Sequence, residues 1–177
     1  MRNNRGFTLI ELLVVVSVIG IIAALAIPGL LRARMSGNEA SAIASLRAIN
    51  SSQQAYASSC ANQFYASDLT DLGRPPAGGG AAFISPDLSV GVAVDKSGYT
   101  VTMAAGKDGA AATANACNAV AAARLFSSYY AKAQPQILNS TGSRYFWTNT
   151  LFTIYADAAP IPDTVGRAAP AAASALQ

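Results

Sequence analysis

A long apolar run near the N-terminus constrains this chain more than any other feature. From Phe7 to Leu31 nearly every residue is apolar, and Glu11 is the only ionisable side chain in the run. At a rise of about 1.5 Å per residue, a helix over this run would be roughly 37 Å long, which exceeds the ~30 Å hydrocarbon thickness of a bilayer. The run therefore predicts a membrane-spanning helix. Because a carboxylate inside such a helix is costly in lipid, Glu11 is predicted to be functional.

Composition narrows the possible function classes. The chain has 177 residues, of which 12% are charged, and its formal net charge is +3. This length is enough for one anchored domain with a hydrophobic core. No basic cluster follows Arg34, so no specific nucleic-acid site is expected. The absence of histidine excludes histidine-based catalysis and histidine metal ligands.

No pattern of catalytic or metal-binding residues appears in the sequence. The nine acidic residues are scattered, and no Ser, Cys or Lys stands in a recognisable nucleophile–base motif. Asp157 and Asp163 flank a proline-containing turn near the C-terminus. Calcium prefers six to eight oxygen ligands, so two carboxylates favour a solvated turn over a calcium loop. We therefore expect no enzyme activity, no cofactor and no metal site.

The first six residues predict the orientation of the apolar helix. Arg2 and Arg5 precede the run, and positive charge before an apolar helix holds that end in the cytoplasm. An ordinary secretory signal peptide, cleaved near Ala24-Leu25-Ala26, is an alternative. The charge of Glu11 and the continuation of the run to Leu31 count against it.

The stretch Arg5–Leu12, with its continuation through Ala24–Pro28, resembles the class III leader junction of type IV pilins and type II secretion pseudopilins. The resemblance implies cleavage after Gly6 by prepilin peptidase and N-methylation of the new N-terminal Phe7. It also implies polymerisation into a helical filament whose core is a bundle of N-terminal helices. Glu11 matches the acidic residue of the family, and Pro28 matches its helix-loosening proline.

The resemblance also implies partners and locations. The expected partners are other copies of the chain in a helical homopolymer, the inner membrane, prepilin peptidase, minor pilins, and a pilus or secretion assembly platform. The expected location is the inner membrane with a periplasmic head before assembly, and an extracellular or periplasmic filament afterwards.

Three other functions stay open beside the pilus subunit. The first alternative is a type II secretion pseudopilin, although the sequence around Ala26–Pro28 looks more like that of a pilin. The second is a monomeric binding domain, either tethered by an uncleaved helix or secreted. The third is a membrane-anchored enzyme of unrecognised type.

The physical chemistry of the run fits an assembly role for Glu11. Cleavage after Gly6 would create a cationic amine at Phe7, four residues before Glu11 and on the same helix face. In a filament, the amine of a neighbouring subunit could serve the same carboxylate and select the axial register, because an unpaired buried charge is costly. The alternative is that Glu11 only snorkels to the membrane edge.

A weak point is predicted in the second half of the apolar run. Pro28 has no N–H and leaves the carbonyl of Ala24 without its helical partner. Gly20 and Gly29 are poor helix formers. We expect the helix to unwind near Ala24–Gly29 when subunits leave the bilayer for a filament.

Beyond Arg34 the helical pattern becomes amphipathic. Apolar or large residues recur every three or four positions, at Ile43, Leu46, Ile49, Gln53, Tyr56 and Cys60. The opposite face carries Ser45, Arg47, Ser51, Ser52 and Gln54. One helix is therefore predicted from Phe7 to about Ser59, with its second half packed on a head.

The only two cysteines, Cys60 and Cys117, are predicted to form a disulfide if the head is exported. The chain-entropy model gives a bridge closing a loop of this length a stabilisation of roughly 4 kcal/mol. Two buried free thiols are the alternative.

The remaining sequence predicts a small β-sheet. Residues 89–94 and 99–103 form one predicted hairpin, and residues 143–148 and 151–155 form another. Residues 68–73 read as a short helix or turn, and residues 120–125 could be helical. Eight aromatic residues between Phe126 and Tyr155 favour sheet core over a sugar-binding patch or an electron path.

The predicted fold class is α+β, with one long N-terminal helix packed against a small antiparallel sheet. The predicted segments are a leader (1–6), a membrane or filament-core half of the helix (7–31) and an amphipathic half (32–60). A globular head (61–167) and a flexible tail (168–177) follow.

Overall fold

The computed structural model describes residues 7–162, 167–171 and 173–176. The predicted leader 1–6, with Gly6, and Asp163 at the predicted solvated turn lie outside these residues. One helix, α1 (Leu9–Ser59), dominates the molecule and contains 51 residues. At about 1.5 Å per residue it is roughly 77 Å long. A head built on antiparallel strands packs against its C-terminal part, which confirms the predicted α+β class.

The head contains a six-stranded antiparallel sheet and a two-stranded one. Strand β1 (Tyr65–Ala66) pairs with β4 (Leu125–Phe126). The larger sheet has the order β2-β3-β5-β6-β7-β8. Its strands are β2 (Ala93–Lys96), β3 (Tyr99–Ala105), β5 (Tyr129–Pro135), β6 (Tyr145–Asn149), β7 (Ile154–Asp157) and β8 (Ser174–Leu176). A short helix, α2 (Leu69–Leu72), and two 3₁₀ turns (Pro86–Leu88 and Ala122–Arg124) complete the head.

The core lies between the sheet and α1. Alternate residues of β3 are buried, Tyr129, Ala131 and Ala133 of β5 are buried on the same face, and Val101 pairs with Ala133 in the register. This period-two burial directs one sheet face at the helix. There it packs on Ala42, Leu46 and Ile49 of α1. The predicted apolar stripe of the helix therefore faces the sheet.

Both predicted hairpins are present with shifted bounds. Strand β2 begins at Ala93 rather than residue 89, and residues 89–92 form bends after the 3₁₀ turn at 86–88. Residues 120–125 form a 3₁₀ turn followed by β4, not an α-helix. The sequence prediction missed β5, the strand that joins the two hairpins into one sheet.

One prediction of exposure was wrong, and part of the segment predicted to be flexible forms a strand. Ser45 and Ser52, assigned to the outer face of α1, are buried because the head wraps more than one face of the helix. In the tail predicted to be flexible, Ser174–Leu176 pair with Ile154–Ala156 as an edge strand. The outer edge of β7 presents backbone N–H and C=O groups that β6 does not use, and the tail segment pairs with them.

A disulfide joins the end of α1 to the alanine-rich segment after β3. Cys60 and Cys117 are bonded at a sequence separation of 57 residues. The N–H of Cys117 also donates to the carbonyl of Cys60 at 2.9 Å. The bond therefore fixes the top of the helix to the head.

Candidate functional site

The helix α1 has two halves with different surroundings. In the lower half, Leu9–Gly37, every side chain is exposed except Ala23 and Met35, which are half-buried. The upper half, Asn38–Ser59, packs on the head. The lower half also holds the most apolar window of the helix, none of which is buried, and α1 is long and apolar enough to cross a membrane. A continuous apolar surface of this size needs a partner.

The N-terminus of α1 is closed by Thr8 and Glu11. The N–H of Glu11 donates to Thr8 Oγ1 at 3.3 Å, and the N–H of Thr8 donates back to Glu11 Oε2 at 3.1 Å. This reciprocal pair is a capping box, which satisfies two backbone donors at the helix start. This role of Thr8 was not predicted from the sequence, although the Thr-x-x-Glu spacing before an apolar run signals it.

The cap uses only one oxygen of the Glu11 carboxylate. The Thr8 hydroxyl also donates to Oε2, at 2.9 Å. Among the described residues, Oε1 accepts no hydrogen bond. The carboxylate can therefore cap its own helix and still accept a cation from elsewhere.

The predicted weak point of the helix is continuous here. Pro28 lies inside α1, and the helix runs through Ala24–Gly29 without a break. A Cβ placed at Gly20 or Gly29 would meet nothing within 4 Å among the described residues. Unwinding of this segment during assembly stays a prediction.

The upper half begins with an ionic clasp between helix and head, formed by Glu39, Ser143 and Arg144. Glu39 Oε2 accepts from Arg144 Nη2 at 2.7 Å and Nε at 3.0 Å, and Oε1 accepts from the N–H and hydroxyl of Ser143. Burial alone would raise the pKa of Glu39, but the hydrogen bonds from Ser143 and Arg144 outweigh it and lower that pKa. This clasp was not predicted from the sequence, because no local pattern links residues 105 positions apart.

The base of the head lies beside the first turns of the upper half. Asn38 Nδ2 donates to the carbonyl of Thr141 at 2.8 Å, and Ser41 Oγ donates to Ser97 Oγ at 3.0 Å. These bonds place the β5–β6 loop (136–144) and the β2–β3 turn at the end of the head nearest the lower half. We call this end the head base.

Higher on the helix, buried amides join α1 to the head. Gln53 is fully buried and acts like a strand backbone: Nε2 donates to the carbonyl of Ala66 at 2.9 Å, and Oε1 accepts its N–H at 3.0 Å. Asn50 Oδ1 accepts from the hydroxyls of Tyr129 and Thr148. Buried polar groups satisfied in this way fix a single docking arrangement of the head.

The top of the head carries an acidic pair, the half-buried Asp68 and the fully buried Asp71. Asp68 caps α2 and, with Asp71, binds Arg124. Burial, reinforced by the charge of Asp68, raises the pKa of Asp71 to about 6 against the pull of Arg124 and Arg74. No group of three or more potential metal-ligating residues occurs among the described residues. The pair is a structural contact between α2 and Arg124, and ionising the buried Asp71 costs free energy.

Comparison with known proteins gives the class of the N-terminus. Residues 1–27 match the family model described as the prokaryotic N-terminal methylation motif. The match spans the predicted leader, the Thr8–Glu11 cap and most of the exposed apolar run. The chain is therefore of the class with an N-terminal methylation motif on a membrane-length helix.

Two relatives narrow the class. The chain is 33% identical over 104 residues to the type IV major pilin protein PilA of Myxococcus xanthus, which covers 59% of this chain and 40% of the relative. It is 59% identical over 39 residues to the type IV wide pilus major component PilA4 of Thermus thermophilus, which covers 22% of this chain and 30% of the relative. The chain thus spans less than half the length of these relatives. No solved structure matches it significantly.

The motif and the two relatives together support the type IV pilin family for this chain.

Proposed function

We propose that the chain is a structural subunit that polymerises into a type IV pilus filament after cleavage between Gly6 and Phe7 and N-methylation of Phe7. The observation that carries the proposal is the bare lower half of α1. Its exposed apolar surface has no partner among the described residues of its own chain. A bilayer can cover it before assembly and the same helices of other copies afterwards. Both matched relatives are pilus components, which favours a pilus over a secretion pseudopilus.

In this function Glu11 is the positioning group for assembly. Its Oε2 is held by Thr8, and its Oε1 is left to receive the amine of Phe7 from a neighbouring copy. Such a pair forms only in the correct axial register, since any other register leaves a charge unpaired among apolar helices. The head then needs no catalytic group, and we infer no enzyme activity.

Two substitutions of Glu11 test the proposal. Glu11→Val removes both the cap and the charge, and we expect membrane insertion and leader cleavage to persist while filament yield falls at least tenfold. Glu11→Gln is the matched control, because glutamine can keep the capping box but carries no charge. If the charge is required, Glu11→Gln fails like Glu11→Val; if the cap suffices, it assembles.

Filament mass per cell, measured by shearing and electron microscopy, is the readout. Wild-type yield from Glu11→Val would overturn the proposal. The intact mass of the mature chain gives a separate check on processing: it should correspond to a methylated amine at Phe7. A chain that begins at Ile27 or keeps Met1 would support the alternative of a secreted or tethered binding domain.

A further inference from the structure

Two arginines follow the apolar run directly and pair with none of the residues that the structure describes. Arg32 and Arg34 are exposed and form no ion pair with any described residue. The one acidic residue of the upper half, Glu39, is already bound by Arg144. The helix therefore carries a basic collar, Arg32 and Arg34, with no acid of its own to neutralise it.

The height of the collar matches the outward headgroup layer of a bilayer. If Phe7 lies at the inner interface, a rise of about 1.5 Å per residue places Arg32 and Arg34 roughly 37 to 40 Å away. A bilayer with its headgroups is ≈ 40–45 Å thick. Arg47, exposed on the same helix, would lie at roughly 60 Å, well outside the layer.

The angle between the two arginine side chains favours lipid over a protein as their binding partner. Positions two apart on an α-helix are turned by about 200°, so the two side chains leave opposite sides of α1. A neighbouring helix covers one side, whereas headgroups surround the helix completely. A guanidinium also binds phosphate oxygens through two parallel hydrogen bonds.

The head base adds an apolar contribution that begins about one helical turn beyond Arg34, at Asn38. Asn38, seven positions after Leu31, bonds Thr141 of the β5–β6 loop. The same loop exposes Ile137 and Leu138, at 61% and 46%. Basic side chains together with exposed apolar side chains are the combination that binds a membrane surface.

We propose that the basic collar and the β5–β6 loop form a binding surface for anionic phospholipid at the outward face of the membrane, which fixes the depth of the unassembled subunit. The inference rests on the proposed membrane anchoring of the lower half. It assigns Arg32 and Arg34 to lipid phosphate and places Ile137 and Leu138 in the interface.

The test uses the full chain in nanodiscs of phosphatidylethanolamine with phosphatidylglycerol, and in nanodiscs of phosphatidylcholine alone. Native mass spectrometry counts the phosphatidylglycerol retained on release. We expect Arg32→Gln/Arg34→Gln to lower retention by about fivefold for each arginine. Arg47→Gln, the matched control, should retain as much as the wild type.

Hydrogen exchange of the loop 136–144 tests the apolar part. Phosphatidylglycerol discs should protect this loop in the wild type, and Ile137→Ser/Leu138→Ser should lose the protection. Val90→Ser/Val92→Ser is the control, because these exposed valines precede β2, whose first residue Ala93 pairs with Thr102 away from the head base. They should leave exchange in the loop unchanged.

Three results would overturn the inference. The first is equal lipid retention by the wild type and Arg32→Gln/Arg34→Gln, and the second is an equal loss of lipid retention from Arg47→Gln. The third is loop protection only in discs that hold two copies, which would assign the surface to a second subunit. Nanodisc retention requires no filament, so its failure is distinguishable from failure of the pilus proposal. A chain that binds the lipid but never assembles would count against the pilus proposal alone.

Discussion

The two halves of α1 belong to one unbroken helix, yet their side chains have opposite surroundings. The lower half, Leu9–Gly37, exposes its apolar side chains and makes its few polar contacts within its own first turns. The upper half, Asn38–Ser59, buries polar side chains such as Gln53 and Asn50 in direct bonds to the head. The comparison shows that local helix propensity accounts for the continuous helix. What differs between the halves is whether their side chains are exposed or buried against the head. We infer that the lower half encodes assembly and the upper half encodes head docking.

The largest effect on head stability should come from the disulfide. Cys60→Ala/Cys117→Ala opens a loop of 57 residues, which predicts a loss of about 4 kcal/mol in the free energy of unfolding. Trp147 is the only tryptophan and is fully buried, so its fluorescence during chemical denaturation reports on the head. Leu25→Ala, at a 78% exposed position of the lower half, is the control and should change this free energy little. A loss below about 1 kcal/mol from the cysteine pair would break the comparison.

The next largest effect should come from Gln53. Gln53→Leu leaves the N–H and carbonyl of the buried Ala66 without their partners. At ≈ 1–3 kcal/mol for each unsatisfied group, we expect a loss of about 3 kcal/mol. The adjacent Gln54 is exposed, so Gln54→Leu should be nearly neutral in the same denaturation experiment. Equal losses from the two variants would mean that side-chain burial does not distinguish the faces of the upper half.

A smaller effect of opposite sign is expected at Asp71. Its folded pKa, about 6, is raised above the ordinary value by burial and by Asp68. The folded head therefore binds this proton more tightly than the unfolded chain, and its stability falls as pH rises from about 4 to 6. Asp71→Asn should remove that slope and stabilise the head by about 2 kcal/mol at pH 7. Arg124 keeps Asp68 as its partner and is 40% exposed, so no buried cation is left unpaired.

Asp68→Asn is the matched variant with the opposite expectation. The pKa of Asp68 is lowered because the Thr70 and Arg124 contacts outweigh its burial. Its stabilisation is present above the unfolded pKa and lost as pH falls through the folded one. Asp68→Asn should therefore destabilise the head at pH 7. Unfolding curves from pH 4 to 8 check both signs, and a destabilised Asp71→Asn head at pH 7 would refute the assignment.

The sequence predicted the helix and the fold class well because both depend on simple patterns. Composition alone marks the lower half, and a spacing of three and four residues marks Leu46, Ile49, Gln53 and Tyr56, all of which are buried. Strand β5 was missed because its buried positions include Ala131 and Ala133, which carry no β-branched or aromatic signal. Edge strand β8 depends on the open side of β7, which no local pattern shows.

The residues of the candidate site also divide into those that a local sequence pattern reveals and those that only the fold brings together. Glu11 was found because a lone carboxylate in an apolar run is conspicuous, and the Thr8 cap could have been read from its spacing. The Glu39–Arg144 clasp depends on chain segments brought together by the sheet register, so neither residue stood out. Arg32 and Arg34 were visible as the end of the run, but only the structure shows that no acidic residue in its described part pairs with them.

One isosteric pair tests the central claim most directly: Glu11→Gln and Glu39→Gln make the same chemical change on the same helix. The measurement is filament mass divided by the amount of folded subunit in the membrane. We predict that Glu11→Gln lowers this ratio at least tenfold without changing head unfolding. Glu39→Gln should weaken the head by about 1 kcal/mol, since Arg144 is partly exposed, and leave the ratio at the wild-type value. Equal ratios for the two variants would contradict the division between an assembling lower half and a head-docking upper half.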